Sequence, residues 1–162
     1  MVMKLDDLVN AMRYAFFRSG RLYVDISSEA YKFYVEISYF KDGMSNLHIE
    51  RIVYLPDSPH LSIDSEWSNF PQNIKDRSIE WIAPSFYDSV VEAFLPEITN
   101  EFVKTKLESV PKFSDEFKRL FDIYVEDDYE YGEGKKFYEF KNEYWHETAR
   151  KFCDEHGIEY EE

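Results

Sequence analysis

Residues 21–40 read RLYVDISSEAYKFYVEISYF, two runs in which apolar side chains recur at every second position. Such alternation is typical of strands that turn one face toward a hydrophobic core. Two further alternating runs follow at 47–55 and 61–67. The runs are joined by short connections at 27–30, 41–46 and 56–59. The pattern therefore predicts a four-stranded antiparallel meander sheet.

Helical patterns lie on both sides of this predicted sheet. Residues 4–19 carry apolar side chains at helical spacing, and Gly20 can end the helix. The pattern is helical again from Ile74 onward, with Ser114 as a candidate N-cap and a last helix predicted at 135–155, before Gly157. We expect an α+β fold: an N-terminal helix, the four-stranded sheet, then three to four C-terminal helices packed on one face.

The composition favours one folded domain spanning residues 1–162. Aromatic residues make up 19% of the chain, and no stretch has the composition of a linker. Cys153 is the single cysteine, which favours a reducing compartment. The sequence has neither a leader-like N-terminus nor an apolar run near the ~20 residues of a membrane span. We expect a cytoplasmic protein that does not engage a membrane.

Charge is the second strong property of the chain, which carries 33 acids and 19 bases for a formal net charge of −14. Residues 1–81 hold 12 acids and 9 bases, whereas residues 82–162 hold 21 acids and 10 bases. Direct binding to nucleic acid is disfavoured, because affinity for phosphates depends on Lys and Arg in a favourable potential. The charge predicts a basic protein as the partner.

The densest acidic stretch is 122–133, DIYVEDDYEYGE, and the last predicted helix adds three glutamates at strict i, i+4 spacing. Like charges at that spacing repel each other, which favours a binding role over helix stability. The candidate partner-binding residues are Asp122, Glu126, Asp127, Asp128, Tyr129, Glu130, Tyr131, Glu133, Tyr138, Glu139, Glu143 and Glu147. The alternative is a solvated acidic loop that leads into a helix.

The acidic stretch can imitate a nucleic acid only under a geometric condition. If 122–133 were helical, its six acids would lie about 3 Å apart along the axis, close to the ~3.4 Å per charge of one DNA strand. An extended chain would give about half that density. The mimicry hypothesis therefore depends on whether this stretch and the glutamates at 139, 143 and 147 share one face.

Catalytic and metal-binding signatures are weak. The four histidines are scattered, and no HExxH or paired-cysteine spacing occurs. Stretch 122–133 has the length of a calcium loop but carries Asp127 where the loop needs glycine. Cys153 could pair with His146 or His156, although the surrounding acids oppose a reactive thiolate. We expect no catalytic residues, no metal and no cofactor.

In size, acidity and aromatic content the chain resembles two groups of small acidic inhibitors. One comprises phage anti-defence proteins, including anti-CRISPR and anti-restriction DNA mimics; the other comprises immunity proteins that neutralise cationic toxin nucleases. The resemblance implies an inhibitor that binds a nuclease or other nucleic-acid-binding enzyme. A small acidic hydrolase and a structural subunit whose acidity serves solubility remain alternatives.

Overall fold

The computed structural model describes residues 2–17, 20–27, 31–40, 47–55, 58–67 and 72–162. The fold is α+β, as predicted. The chain divides into two compact units: Met1–Ala83 with Trp145–Glu162 form unit 1, and Pro84–Tyr144 form unit 2. Most of the predicted connections between the strands, at 28–30, 41–46 and 56–57, lie outside the described residues. The single domain expected for 1–162 stays a prediction.

The described residues of unit 1 form a five-stranded antiparallel sheet and a separate two-stranded parallel pair. The strand order of the larger sheet is β5-β4-β3-β2-β6. The strands are β1 (Met3–Lys4), β2 (Arg21–Asp25), β3 (Lys32–Phe40), β4 (Leu47–Leu55), β5 (Ser58–Trp67), β6 (Ser78–Ile82) and β7 (Tyr160–Glu161).

The predicted count of four strands is wrong, because the described part of the sheet contains β6 as well. Strand β6 pairs antiparallel with β2 along the edge that β3 leaves open, with Tyr23 opposite Glu80. Residues 78–82 lie in a region where the sequence analysis expected helix. The preceding α2 (Gln72–Asp76) is indeed helical, but it ends just before the strand. The prediction that the C-terminal helices cover one sheet face stays untested.

Strand β2 is buried on both faces, although alternation predicts burial of one face only. Leu22 and Val24 lie in the core, and so do Tyr23 and Asp25 on the opposite face. Helix α2 explains this burial, because its Ile74 packs with Tyr23 and Tyr34. The Asp25 carboxylate accepts a hydrogen bond from Arg77 Nε at 2.8 Å and two more from Ser27.

Helix α1 (Leu5–Phe17) and the C-terminal half of α6 (Glu133–His156) complete unit 1. The acidic first turn of α1 suits the positive end of a helix dipole. Aromatic edges join the elements: the ring of Trp145 lies 4.8 Å from that of Phe16 and 6.3 Å from that of Trp81. No helix in the described part of the chain is both long enough and apolar enough to cross a membrane.

Unit 2 is helical and has an aromatic core. Its helices are α3 (Glu92–Phe94), α4 (Glu101–Glu108), α5 (Asp115–Phe121) and the first half of α6. A π-helical turn, Phe86–Val91, leads into α3, a 3₁₀ turn, Leu95–Glu97, follows it, and a second π-helical turn, Asp122–Glu126, extends α5. The Phe137 ring of α6 lies 4.8 Å from Phe94 and 5.1 Å from Phe121. These contacts fix α6 against the helices that precede it.

Candidate functional site

The acidic stretch 122–133 is not one helix. Residues 122–126 form the π-helical turn after α5, residues 127–132 form a loop, and α6 begins at Glu133. Gly132 adopts a left-handed conformation with φ of 79°, which glycine tolerates without strain. The helical condition for the charge density of a DNA strand is therefore met by only half of these residues, in two separate pieces.

Asp128 holds this loop together. Its carboxylate accepts hydrogen bonds from the backbone N–H groups of Glu130 at 2.8 Å, Tyr131 at 2.9 Å and Glu133 at 3.1 Å. A carboxylate in this position also interacts favourably with the positive end of α6. Burial raises the pKa of Asp128, but the backbone hydrogen bonds outweigh it and hold the pKa below its ordinary value. The side chain therefore organises the loop from within.

Glu133, the first residue of α6, is buried and joins the starts of two helices. Its Oε1 accepts hydrogen bonds from the backbone N–H groups of Thr99 and Asn100 at 3.2 and 3.0 Å, just before α4. The Asn100 side chain caps α4 by accepting from Val103 N–H. Glu133 Oε2 lies 3.2 Å from Lys136 Nζ without hydrogen-bond geometry. Glu133 thus fixes where α6 starts relative to α4.

Gly134 allows the loop to pack directly on α6. A Cβ atom at this position would lie 2.5 Å from the backbone oxygen of Asp128 and 2.9 Å from that of Val125. Real Cβ atoms do not approach backbone oxygens so closely. The backbone at 125–134 is therefore held by a close contact as well as by the two carboxylates.

The other acids of the stretch create a local negative potential. Burial raises the pKa of Asp122, and the charge of Asp127 raises it further. Burial also raises the pKa of Tyr87, and the charges of Asp122 and Glu126 raise it further. Glu126 is partly neutralised by Lys141, whose Nζ lies 3.3 Å away.

The fixed loop presents acids and an aromatic ring to solvent. The Asp127 and Glu130 side chains are exposed, and Tyr129 is 98% exposed. Within the described part of the chain, neither of these two carboxylates makes an ion pair. A surface depression of about 300 Å³ lies here, lined by Ile123, Tyr124, Asp127, Asp128, Tyr129, Glu130 and Tyr131. We refer to these seven residues as the loop depression.

The three glutamates of α6 form a separate line. Glu139, Glu143 and Glu147 are all exposed, and Glu147 lies 3.5 Å from Arg150. At 100° per residue, Glu139 and Glu143 lie roughly 160° around the helix axis from Lys141. Lys141 pairs with Glu126, so Glu126 meets α6 on the side away from these glutamates. The predicted residues therefore form two groups, and Glu126 does not share a face with the glutamate line.

Tyr138 and Tyr131 differ in environment. Tyr138 is 62% exposed on α6, whereas Tyr131 is half-buried and stacks on Phe102. Phe102 was not predicted to belong to the site, because residues 102 and 131 meet only in the folded chain. The roles of Asp128 and Glu133 as internal supports also escaped the sequence analysis. The position of an acid next to a helix start was the available signal.

The charge is divided evenly between the two compact units. Unit 2 holds 15 acids and 8 bases, and unit 1 holds 18 acids and 11 bases, so each carries a net charge of −7. The imbalance between the two halves of the sequence does not persist in the fold, because residues 145–162, with six acids and two bases, belong to unit 1.

Among the described residues, few side chains are suited to act as a nucleophile or to bind a metal ion. Burial, followed by the charge of Asp154, raises the pKa of Cys153 to about 11, which disfavours a thiolate at neutral pH. His146 Nε2 lies 3.1 Å from Asp6 Oδ1. The described residues contain no group of three or more His, Cys, Asp or Glu side chains suited to hold a metal ion.

Comparisons with known proteins give no relative. No protein-family model, no curated protein and no solved structure matches this chain.

Proposed function

We propose that this chain is an acidic binding protein that inhibits a nucleic-acid-handling enzyme, in the manner of phage anti-defence inhibitors. The observation that supports it is the fixed presentation of the loop depression. Asp128 and Glu133 are engaged inside the protein, while Asp127, Tyr129 and Glu130 face solvent beside them. A surface that is ordered before binding loses less entropy when a partner docks.

In this proposal the partner surface is the cationic groove in which the enzyme binds its nucleic acid. Exposed carboxylates of the loop and of α6 pair with Lys and Arg in the groove, and Tyr129 and Tyr138 add contact area. Occupation of the groove excludes the substrate. The net charge of −14 attracts a basic partner over a distance, which speeds association at low salt.

The spacing of the acids favours discrete contacts over imitation of a continuous strand. Glutamates at i, i+4 lie about 6 Å apart along a helix, roughly half the charge density of one DNA strand. The loop interrupts any helical continuation of that line. The proposed inhibitor therefore matches individual cationic side chains of the groove.

The test is affinity capture followed by inhibition and kinetics. The chain is immobilised, a lysate is applied at about 50 mM salt, and bound proteins are eluted at about 500 mM. Each captured basic enzyme is then assayed for binding and cleavage of its nucleic acid with added chain. We expect inhibition that added nucleic acid relieves, and an association rate that falls as salt rises. A captured toxin nuclease would assign the chain to the immunity proteins, and a captured defence nuclease to the anti-defence inhibitors.

Two triple variants with the same change of charge separate specific from general electrostatics. Glu139→Gln/Glu143→Gln/Glu147→Gln alters the predicted surface, whereas Asp88→Asn/Glu97→Gln/Glu108→Gln removes three exposed acids outside it. We expect the first variant to weaken inhibition by about tenfold, which is more than the second does. The loss of inhibition should be spread over many carboxylates. Equal losses in both variants, or binding without inhibition, would contradict the proposal. Loss of function by orders of magnitude at one carboxylate would favour an enzyme instead.

A further inference from the structure

A cluster of three aromatic rings lies at the loop depression, and two of them, Tyr124 and Tyr131, line it. Phe102 of α4 stacks on Tyr131, with centroids 5.4 Å apart and an interplanar angle of 29°. Tyr124 meets the edge of Phe102 at 5.5 Å and lies 6.1 Å from Tyr131. Tyr124 and Tyr131 both line the depression, and Tyr129 lines it from the loop. The depression therefore offers aromatic faces as well as charge.

Two features of the loop depression suit a cation. The carboxylates of Asp127 and Glu130 line the depression, and neither makes an ion pair with another described residue. The rings of Tyr124, Tyr129 and Tyr131 line it as well, and the face of an aromatic ring attracts a cation. Aromatic faces and carboxylates attract cations by separate electrostatic effects, which add when the two groups line one site.

We propose that the loop depression binds the guanidinium group of an arginine side chain of the partner. Guanidinium is planar, so it can stack on tyrosine faces while its N–H groups donate to carboxylates at the rim. The volume of about 300 Å³ lies at the lower end of the range for ligand pockets, which suits a side chain. The inference rests on the proposed function, of which it names the anchoring contact.

Other occupants fit the same residues less well. A neutral apolar ligand would desolvate the carboxylates at the rim without compensating their charge. A metal ion would need further ligands, but Asp128 is occupied by backbone N–H donors, and the described residues hold no metal-binding group. An ammonium group is compact and strongly hydrated, and it lacks the planar face that stacks on the rings.

The test uses N-acetyl-arginine amide as the probe and N-acetyl-citrulline amide as its neutral isostere. Each is titrated into the full chain, and backbone amide resonances are followed by NMR. We expect the arginine probe to shift the amides of Phe102, Tyr124 and 127–131 with an apparent Kd of about 1 to 10 mM. Equal shifts with the citrulline probe, stronger binding of N-acetyl-lysine amide, or shifts spread over all acidic surfaces would overturn the inference.

Two double variants with equal change of charge locate the site. Asp127→Asn/Glu130→Gln removes the two rim carboxylates, and Asp88→Asn/Glu97→Gln removes two exposed acids that belong neither to the depression nor to the predicted partner surface. We expect the first to weaken arginine binding about fivefold and the second to leave it within about twofold. Tyr131→Leu should also weaken it, with the amide spectrum confirming that each variant is folded. Equal effects of the two double variants would overturn the assignment.

The outcomes for the pocket and for the proposed function are separable. Binding of the arginine probe at the depression, combined with no inhibition of any captured enzyme, would contradict the proposed function and leave an arginine-binding pocket. Inhibition that persists unchanged in Asp127→Asn/Glu130→Gln would contradict the anchoring contact and leave the inhibitor. The probe titration needs no knowledge of the enzyme.

Discussion

Asp128 and Asp122 lie six residues apart in one acidic segment, yet their pKa values move in opposite directions. Burial raises the pKa of Asp122, together with the charge of Asp127. Burial also acts on Asp128, but four backbone N–H groups, those of Tyr131, Glu130, Gly134 and Glu133, outweigh it and lower the pKa. A carboxylate that accepts several hydrogen bonds is stabilised in its charged form. Only one of the two residues is therefore expected to stabilise the fold through its charge.

Replacement of each residue by asparagine tests this difference. Asp128→Asn keeps one oxygen acceptor where the carboxylate has two, so we expect the free energy of unfolding to fall by about 1 to 3 kcal/mol at pH 7. Asp122→Asn removes a charge that the fold disfavours, and we expect no loss of stability at the same pH. Urea unfolding followed by circular dichroism measures both. Comparable changes in the two variants would contradict the stabilising role of the hydrogen bonds to Asp128.

The pH dependence of stability has a definite sign for Asp128. Its folded pKa lies below its ordinary value of 3.8, so its stabilisation is present above that pH and is lost as pH falls through the folded pKa. The stability lost on acidification to about pH 3 should therefore be smaller in Asp128→Asn than in the wild type. Asp25, whose pKa is also lowered, is present in both proteins, so both should still lose some stability on acidification.

At the scale of elements, sequence pattern predicted the helices that have clear terminal signals. Ser114 caps α5 by accepting from Phe117 N–H, as expected. Helix α6 spans Glu133–His156, against a prediction of 135–155, and is followed by Gly157, which has φ of 65°. Capping residues and the helical spacing of apolar residues predict these helices because the interactions involved are local.

Elements that depend on distant parts of the chain were not predictable in the same way. Strand β6 is five residues long and is stabilised by pairing with β2, more than 50 residues earlier. Burial of the second face of β2 depends on α2, which is equally distant in sequence. In the site, the acids were visible in the sequence, but the ring of Phe102 beside Tyr131 was not. Long-range packing, which overrides local pattern, accounts for each of these differences.

The glutamate line of α6 has an energetic cost that can be measured. Two i, i+4 pairs of like charge destabilise a helix by about 0.2 to 0.5 kcal/mol each. We expect Glu139→Gln/Glu143→Gln/Glu147→Gln to leave the free energy of unfolding unchanged or to raise it by up to about 1 kcal/mol, even after loss of the exposed contact with Arg150. Inhibition should weaken in the same variant.

Lys141→Met is the control on the opposite side of α6. Lys141 pairs with Glu126, and its Nζ lies 4.6 Å from the centroid of the Phe137 ring. We expect this variant to lose about 1 kcal/mol of stability, because it removes both contacts. A loss of more than about 1 kcal/mol in the triple glutamate variant would mean that the line stabilises the helix, which would remove the argument for a binding role.

At the scale of the whole molecule, self-repulsion is set by the net charge of −14, divided as −7 in each compact unit. A net charge far from zero destabilises a compact state, and salt screens that repulsion. The Debye length shortens from about 30 Å at 0.01 M to about 10 Å at 0.1 M ionic strength. Since the exposed ion pairs are weak, screening of repulsion should dominate the response to salt.

The thermal midpoint should therefore rise by a few degrees as sodium chloride increases from about 10 to 300 mM, while association with a basic partner slows over the same range. Chloride is the suitable anion, since sulfate strengthens apolar burial whatever the charge. The triple glutamate variant, with net charge reduced from −14 to −11, should show a smaller rise. Calorimetry at several salt concentrations measures the midpoint.

A flat or falling midpoint would mean that ion pairs such as those of Asp25, Glu126 and Glu133 outweigh the repulsion. The acidity would then cost the protein no stability, and no binding role would be needed to explain it.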